Sequence, residues 1–195
     1  MFSAFFRLVV VLGAWLAPAP LCFAQVHSFL SLDMGRGETR SHGANDGTYK
    51  TTYGNLTLAG KLFQYPAYMG LIFETSKTDG LTHLPDDVAI DTDKAYNNMD
   101  GLGLKWGLIK WRMVSELSAT GGRIRNVIPD YRSSTYVYRA GSLSLGYLIY
   151  RSRFSAFNVN LVGQKVAPDQ DWQVAHGANE LDQVLITFCL KLFSL

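Results

Sequence analysis

The stretch MDGLGLKW, residues 99–106, shows the pattern that decides the fold. Its large apolar residues alternate strictly with small or charged ones: Leu102, Leu104 and Trp106 against Gly101, Gly103 and Lys105. Because successive side chains of a β-strand point to opposite faces, this period of two predicts a strand with one apolar and one polar face.

The same alternation recurs along the rest of the chain. The eight alternating runs lie near residues 26–34, 50–63, 65–76, 99–106, 111–118, 135–147, 156–161 and 181–195. After residue 24 no stretch approaches 18 consecutive apolar residues, which excludes a membrane-spanning helix. The sequence therefore predicts an all-β fold of eight antiparallel strands.

The predicted connections alternate in length. Long polar links follow the odd strands at 36–49, 77–97, 120–134 and 165–180, and short links follow the even strands. This asymmetry is typical of an up-and-down outer-membrane barrel with short periplasmic turns and four external loops. Closure follows physically, since lipid offers no hydrogen-bond partner to an open strand edge. An even strand number would leave both termini in the periplasm.

Charged residues recur on the predicted inward face. We expect a structural lumen network made of Asp33, Lys61, Glu74, Lys105, Arg112, Glu116 and Arg139. Burying a charge without a partner is costly, so these residues should form ion pairs. Eight strands enclose a space that side chains can fill, which disfavours an open diffusion pore.

Aromatic residues are predicted to form two belts, one near the short turns and one near the long loops. The loop-side belt would contain Tyr49, Tyr53, Phe73, Tyr136 and Tyr138. Paired belts are typical of membrane barrels. The alternative is a soluble lipocalin-like ligand carrier, in which the apolar face would point inward.

The N-terminal 24 residues have the order of a secretory signal peptide. Arg7 precedes an apolar run that ends at Pro18 and Pro20, and cleavage is expected after Ala24. Lipidation of Cys22 is the competing possibility. The mature chain, 25–195, would be a single barrel domain in the cell outer membrane. Its only cysteine would be Cys189, so no internal disulfide is expected.

Composition excludes two further classes of protein. Hydrophobic residues make up 48% of the chain and charged residues 17%, which does not fit a disordered protein. The formal net charge of +2 gives no electrostatic footprint for nucleic-acid binding.

The pattern as a whole resembles the small eight-stranded outer-membrane barrels of Gram-negative bacteria, the OmpA/OmpX-like group. The resemblance covers residues 25–195 and rests on pattern and topology. It implies a monomer that contacts outer-membrane lipids and the barrel-assembly machinery, which recognises a terminal aromatic residue. Here Phe193 stands two residues before Leu195.

Two enzyme families of this barrel size act on lipid A, so an enzyme remains an alternative. PagL-like deacylases carry a His-x-Ser pair, but His176 is followed at the second position by Ala178. PagP-like palmitoyltransferases have an N-terminal helix, whereas the first strand begins here almost at the expected cleavage site. We therefore expect no catalytic residues.

The predicted loops contain two charged groups. Asp79, Asp86, Asp87, Asp91 and Asp93 are expected to be solvated, and no metal site or cofactor is expected. The loop histidines are likewise expected to be solvated. Arg123, Arg125 and Arg132 are candidates for lipopolysaccharide phosphate contacts, because arginine presents a fork of donors to phosphate. The predicted function is a structural or interaction barrel.

Overall fold

The computed structural model describes residues 28–43, 46–62, 66–80, 95–128 and 133–193. The predicted signal peptide, 1–24, lies outside the described residues. Eight strands and one short helix follow each other along the chain: β1 Ser28–Gly43, β2 Gly47–Lys61, β3 Ala67–Asp79, β4 Tyr96–Lys110, β5 Met113–Val127, β6 Ser134–Arg151, β7 Ser155–Pro168, α1 Gln170–His176 and β8 Ala178–Phe193.

Each strand pairs antiparallel with the strands before and after it in the chain, and the sheet closes on itself. The closing seam joins β1 to β8 from Phe29↔Phe193 at one end to His42↔Glu180 near the other. Closure gives every strand two hydrogen-bonded neighbours, so no edge is left open. The predicted eight-stranded up-and-down barrel is confirmed.

The apolar face of the sheet points outward. Leu58 and Leu102 are 60% and 62% exposed, whereas Thr57 on the opposite face is fully buried. The same difference separates Ile186, which is exposed, from the buried Thr187. A lipocalin-like carrier needs the reverse arrangement, so the outward apolar face excludes that alternative.

The strands are longer than predicted at the end where the odd strands finish, which we call the loop end. β1 continues to Gly43 and β5 to Val127, so the predicted links 36–49 and 120–134 are wrong in extent. Polar outward residues such as Glu38 and Lys50 remain paired in register. At this end, polar outward residues show where the apolar belt stops, but the strands continue beyond that point.

The opposite end, which we call the turn end, contains the short connections 62–66, 111–112 and 152–154 and both ends of the described chain. Exposed aromatic side chains gather around it: Trp106, Trp111, Tyr147, Tyr150 and Phe154. Among the described residues, no helix is both long and apolar enough to cross a membrane.

The aromatic belt predicted at the loop end is wrong. Tyr53 and Tyr138 are buried inside the barrel, and Tyr49 and Tyr136 pack against an interior cluster. Of the five predicted members, Phe73 alone faces outward, where it is 52% exposed. The tyrosines occupy inward positions of their strands, where their hydroxyl groups can meet polar partners.

Candidate functional site

The centre of the lumen holds four buried charges from four strands. Lys191 on β8 lies 2.7 Å from Glu116 on β5, measured from Nζ to Oε1. The Nζ atom of Lys105 lies 3.6 Å from Oε2 of Glu116 and 3.4 Å from Oδ2 of Asp33. Glu116 is thus shared by two lysines, and each of these charges has an opposite charge within ion-pair distance.

Neutral donors complete the partners of the two carboxylates. Tyr68 donates its hydroxyl hydrogen bond to Oε1 of Glu116. Asn160 donates to Oδ1 of Asp33 across 3.1 Å. All four carboxylate oxygens of Asp33 and Glu116 therefore have a partner, which is the condition for burying charge at moderate cost.

Glu74 is held differently, by neutral donors only. Thr120 and Tyr138 donate to Oε1 across 2.5 and 3.2 Å, Tyr53 donates to Oε2 across 3.3 Å, and the amide of Gln164 lies 3.1 and 3.2 Å from the two oxygens. Within the described residues no Lys or Arg forms an ion pair with Glu74.

Asn55 connects the two groups. Its Nδ2 donates to the Tyr53 hydroxyl across 3.1 Å, and its Oδ1 accepts from Lys105 across 3.4 Å. A cavity of about 10 Å³ lies among Asp33, Lys105 and Glu116. Such a space holds about one water molecule, so side chains fill this part of the lumen.

Apolar clusters close the lumen on both sides of the polar layer. At the turn end Phe29 packs edge-on against Tyr68, with ring centroids 4.8 Å apart, among buried aliphatic side chains: Ala59, Ile109, Val114, Leu148 and Ala156. At the loop end the cluster contains Met99, Ile124, Tyr138, Ala140, Val166, Trp172, Ala178 and Leu181.

Helix α1 supplies the largest side chain of the loop-end cluster. Asp169 caps the helix by accepting from the Trp172 backbone N–H across 2.9 Å, and its other oxygen accepts from the Val137 N–H across 2.8 Å. Gly177 ends the helix in the left-handed conformation, with φ of 62°. These bonds hold the fully buried Trp172 indole inside the mouth of the barrel.

His176 is buried beside Trp172, contrary to the expectation of a solvated loop histidine. The two rings stack with centroids 4.5 Å apart. Nε2 lies 3.0 Å from the amide nitrogen of Asn126, and Nδ1 lies 3.0 Å from the Trp172 carbonyl oxygen. Both ring nitrogens therefore form hydrogen bonds inside the mouth of the barrel.

On β5 and β6 three arginines lie on the outer face at the loop end, and we call them the basic patch: Arg123, Arg125 and Arg139. Arg139 on β6 stands directly across from Gly121, two residues before Arg123 on β5. Val137 separates Arg139 from Thr135, the partner of Arg125. All three side chains are exposed, and none forms an ion pair with another described residue.

Three other cationic side chains at the loop end lie beside a carboxylate. Lys165 lies 2.5 Å from Glu180, Lys77 lies 3.2 Å from Asp79, and His42 lies 3.0 Å from Asp182. Asp100, the acid across from Arg123, accepts a hydrogen bond from Thr75 across 2.8 Å. The basic patch thus has three arginines near one acid, Asp100, and carries excess positive charge.

Two solved structures share this architecture. Ail, the attachment invasion locus protein of Yersinia pestis, is 12% identical with a TM-score of 0.50, over 85% of this chain and 99% of that chain. Neisserial surface protein A is 6% identical with a TM-score of 0.53, over 85% of this chain and 96% of that chain. No family model and no curated protein matches the sequence.

The chain has the fold of the small eight-stranded outer-membrane barrels. At these identities the comparison shows the fold alone, and the fold agrees with the resemblance to the OmpA/OmpX-like group.

Four of the seven residues predicted for the lumen network are buried in the lumen of this barrel: Asp33, Glu74, Lys105 and Glu116. Lys61 is half-buried on the inward side of β2, across from Tyr68 at the turn end. Lys191 belongs to the network but was not predicted, although its alternation with Leu190 and Leu192 placed it on the inward face.

The predicted lumen positions of Arg112 and Arg139 are wrong. Arg112 lies in the tight turn between β4 and β5, where it is exposed and donates to the Tyr147 hydroxyl across 3.2 Å. Arg139 follows the inward Tyr138 and so must point outward. Of the predicted phosphate contacts, Arg123 and Arg125 lie on the outer face of β5, and Arg132 lies outside the described residues.

We predict that Glu116→Ala lowers the free energy of unfolding by about 3 kcal/mol, because Lys105 and Lys191 lose their shared carboxylate inside the lumen. Glu180→Ala is the matched control, since it removes an exposed pair worth less than about 1 kcal/mol. Urea unfolding of the refolded barrel in vesicles measures both. Equal stability of Glu116→Ala and the wild type would refute the structural role of the network.

We also predict that Trp172→Ala lowers the free energy of unfolding by about 3 kcal/mol, because it empties the apolar mouth. Val174 lies on the same helix but is 79% exposed, so Val174→Ala should have almost no effect. Backbone amides of residues 170–176 should exchange hydrogen faster in the first variant only. Unchanged exchange in both variants would contradict the account of Trp172 as the anchor of α1.

Proposed function

We propose that the chain is an exported, monomeric outer-membrane protein with a structural or interaction role. We further propose that its basic patch contacts the phosphates of lipopolysaccharide. Export would use the predicted signal peptide, 1–24, and insertion would use the barrel-assembly machinery. The observation that carries the proposal is the basic patch at the edge of the outward apolar belt.

The height of the patch on the barrel supports a headgroup contact. Along β6, Val137 and Arg139 are followed on the outward face by Gly141, Leu143 and Leu145. On β5 the outward series continues from Arg123 through Gly121 and Ala119 to Leu117. The arginines thus lie just beyond the lipid-facing side chains, where the headgroup region of a bilayer begins.

The chemistry of the patch fits phosphate. An arginine guanidinium donates paired hydrogen bonds to phosphate oxygens and keeps its charge at any physiological pH. Gly121 and Gly141, which neighbour Arg139, have no side chain and leave the surrounding sheet surface open. A lipid A phosphate could therefore approach the guanidinium group from the membrane side.

The filled lumen supports an interaction role over transport. The central charges are paired or hydrogen-bonded, and apolar clusters lie on both sides of them. A solute would have to displace Trp172 at one end and the Phe29–Tyr68 pair at the other. Function is thus expected at the outer surface and in the loop-end connections.

We predict that the triple variant Arg123→Gln, Arg125→Gln and Arg139→Gln binds lipopolysaccharide roughly tenfold more weakly than the wild type, because three surface charges lose their phosphate partners. Titration of detergent-refolded barrel with purified lipopolysaccharide measures the dissociation constant. Dephosphorylated lipopolysaccharide should bind the wild-type protein as weakly as phosphorylated lipopolysaccharide binds the triple variant.

The matched control is Lys110→Gln, Arg112→Gln and Arg153→Gln, which removes three charges at the turn end. Although it removes the same number of charges, this control should lose much less lipopolysaccharide affinity than the basic-patch variant. Heat-modifiable migration in gel electrophoresis shows whether each variant has folded. The proposal fails if the basic-patch variant retains wild-type affinity or if removal of the phosphates leaves binding unchanged.

A further inference from the structure

The turn end carries cations on two neighbouring connections. Lys110 is the last residue of β4, Arg112 lies in the tight turn between β4 and β5, and Arg153 lies in the turn between β6 and β7. The two turns are close because Met113 on β5 pairs with Tyr147 on β6. Arg112 and Arg153 are exposed, and Lys110 is half-buried. We call these three residues the cationic rim.

Acidic side chains are missing from the surface around this rim. The sequence contains no Asp or Glu at 47–73, 101–115 or 131–168. Among the described residues of this half of the barrel, the acids Asp33 and Glu116 point into the lumen and are paired there. The rim therefore presents positive charge without a neighbouring surface carboxylate, unlike Lys77 and Lys165 at the loop end, which each lie beside one.

Aromatic side chains accompany each cation of the rim. The Nζ atom of Lys110 lies 5.6 Å from the centre of the Trp111 ring, and the guanidinium of Arg153 lies 5.8 Å from the Phe154 ring. Arg112 donates to the Tyr147 hydroxyl across 3.2 Å. Exposed Trp, Tyr and Phe side chains at this height are typical of the interface between hydrocarbon and headgroups.

Trp111 adopts an uncommon backbone conformation for such a large residue. Its φ of 56° is in the left-handed region, which Gly and Asn adopt at lower cost. The indole is nevertheless 62% exposed and makes no contribution to the lumen. An exposed indole at this position is available to a membrane interface, where tryptophan is enriched.

We propose that the cationic rim binds the phosphate headgroups of anionic glycerophospholipids, such as phosphatidylglycerol, in the leaflet at the turn end. The inference rests on the proposed membrane location of the barrel. Charge complementarity selects this lipid class, because zwitterionic phospholipids carry no net charge to attract the rim. The aromatic belt holds the cations at the depth of the phosphates.

Tryptophan fluorescence tests this inference. Trp106 and Trp111 lie at the turn end, whereas Trp172 is buried in the mouth, so a Trp172→Phe background isolates the rim. The barrel is reconstituted in vesicles that mix ordinary phosphatidylcholine with brominated phosphatidylglycerol, or ordinary phosphatidylglycerol with brominated phosphatidylcholine. Bromine quenches a nearby indole, so the quenched fractions give the relative association constant of the two lipids at the rim.

The expected association constant is roughly threefold higher for phosphatidylglycerol than for phosphatidylcholine at low salt, and the preference should fall in high salt. The variant Lys110→Gln, Arg112→Gln and Arg153→Gln should show a ratio near one. The basic-patch variant, with the same loss of charge at the loop end, should keep the preference. If Trp172→Phe does not refold, the wild-type protein is used instead. The buried Trp172 then adds a constant fluorescence that the brominated lipids do not quench.

Equal association of both lipids with the wild type, or a preference retained by the rim variant, would overturn the inference. In either of these two cases, quenching by brominated phosphatidylcholine would still show that the barrel is inserted in the bilayer. An absence of quenching by either lipid would instead contradict the membrane location on which the proposed function depends.

Discussion

The closing pairing between β1 and β8 is the interaction on which the rest of the structure depends. Lipid cannot accept or donate hydrogen bonds, so a sheet can cross a bilayer only when no strand edge is left open. Closure also places the side chain of every strand residue either on the outer surface of the barrel or in its lumen. Leu190 and Leu192 on β8 face outward, and Lys191 between them faces the lumen.

Every charge buried in the narrow lumen requires an opposite charge or several hydrogen-bond donors, because a buried charge without partners costs several kcal/mol. Glu116 on β5 meets this requirement by pairing with lysines from the adjacent β4 and from β8, and the second pair links strands that are not neighbours in the sheet. Glu74 relies on hydroxyl and amide donors from four other strands. The polar layer therefore ties the barrel wall together across its centre.

Alternation in the sequence was sufficient to predict the strands, their number and the inward positions of Asp33, Glu74, Lys105 and Glu116. The prediction for Arg139 was wrong because it followed the charge of the residue, whereas alternation places Arg139 on the same outward face as Val137. The predicted loop 36–49 is largely paired strand, because its outward residues are polar and so hide the alternation of apolar and polar positions. The burial of His176 depends on α1, whose seven residues were too short to stand out within a polar link.

Lipid contact of the apolar side chains tests the account most directly. The barrel, with its isoleucine, leucine and valine methyl groups isotopically labelled, is placed in a nanodisc whose acyl chains carry a paramagnetic group. The account predicts strong attenuation of the NMR signals of Leu58, Leu102 and Ile186, and little attenuation of those of Ile72, Val162 and Leu185, which are buried in the lumen. Attenuation of the second set with protection of the first would contradict it.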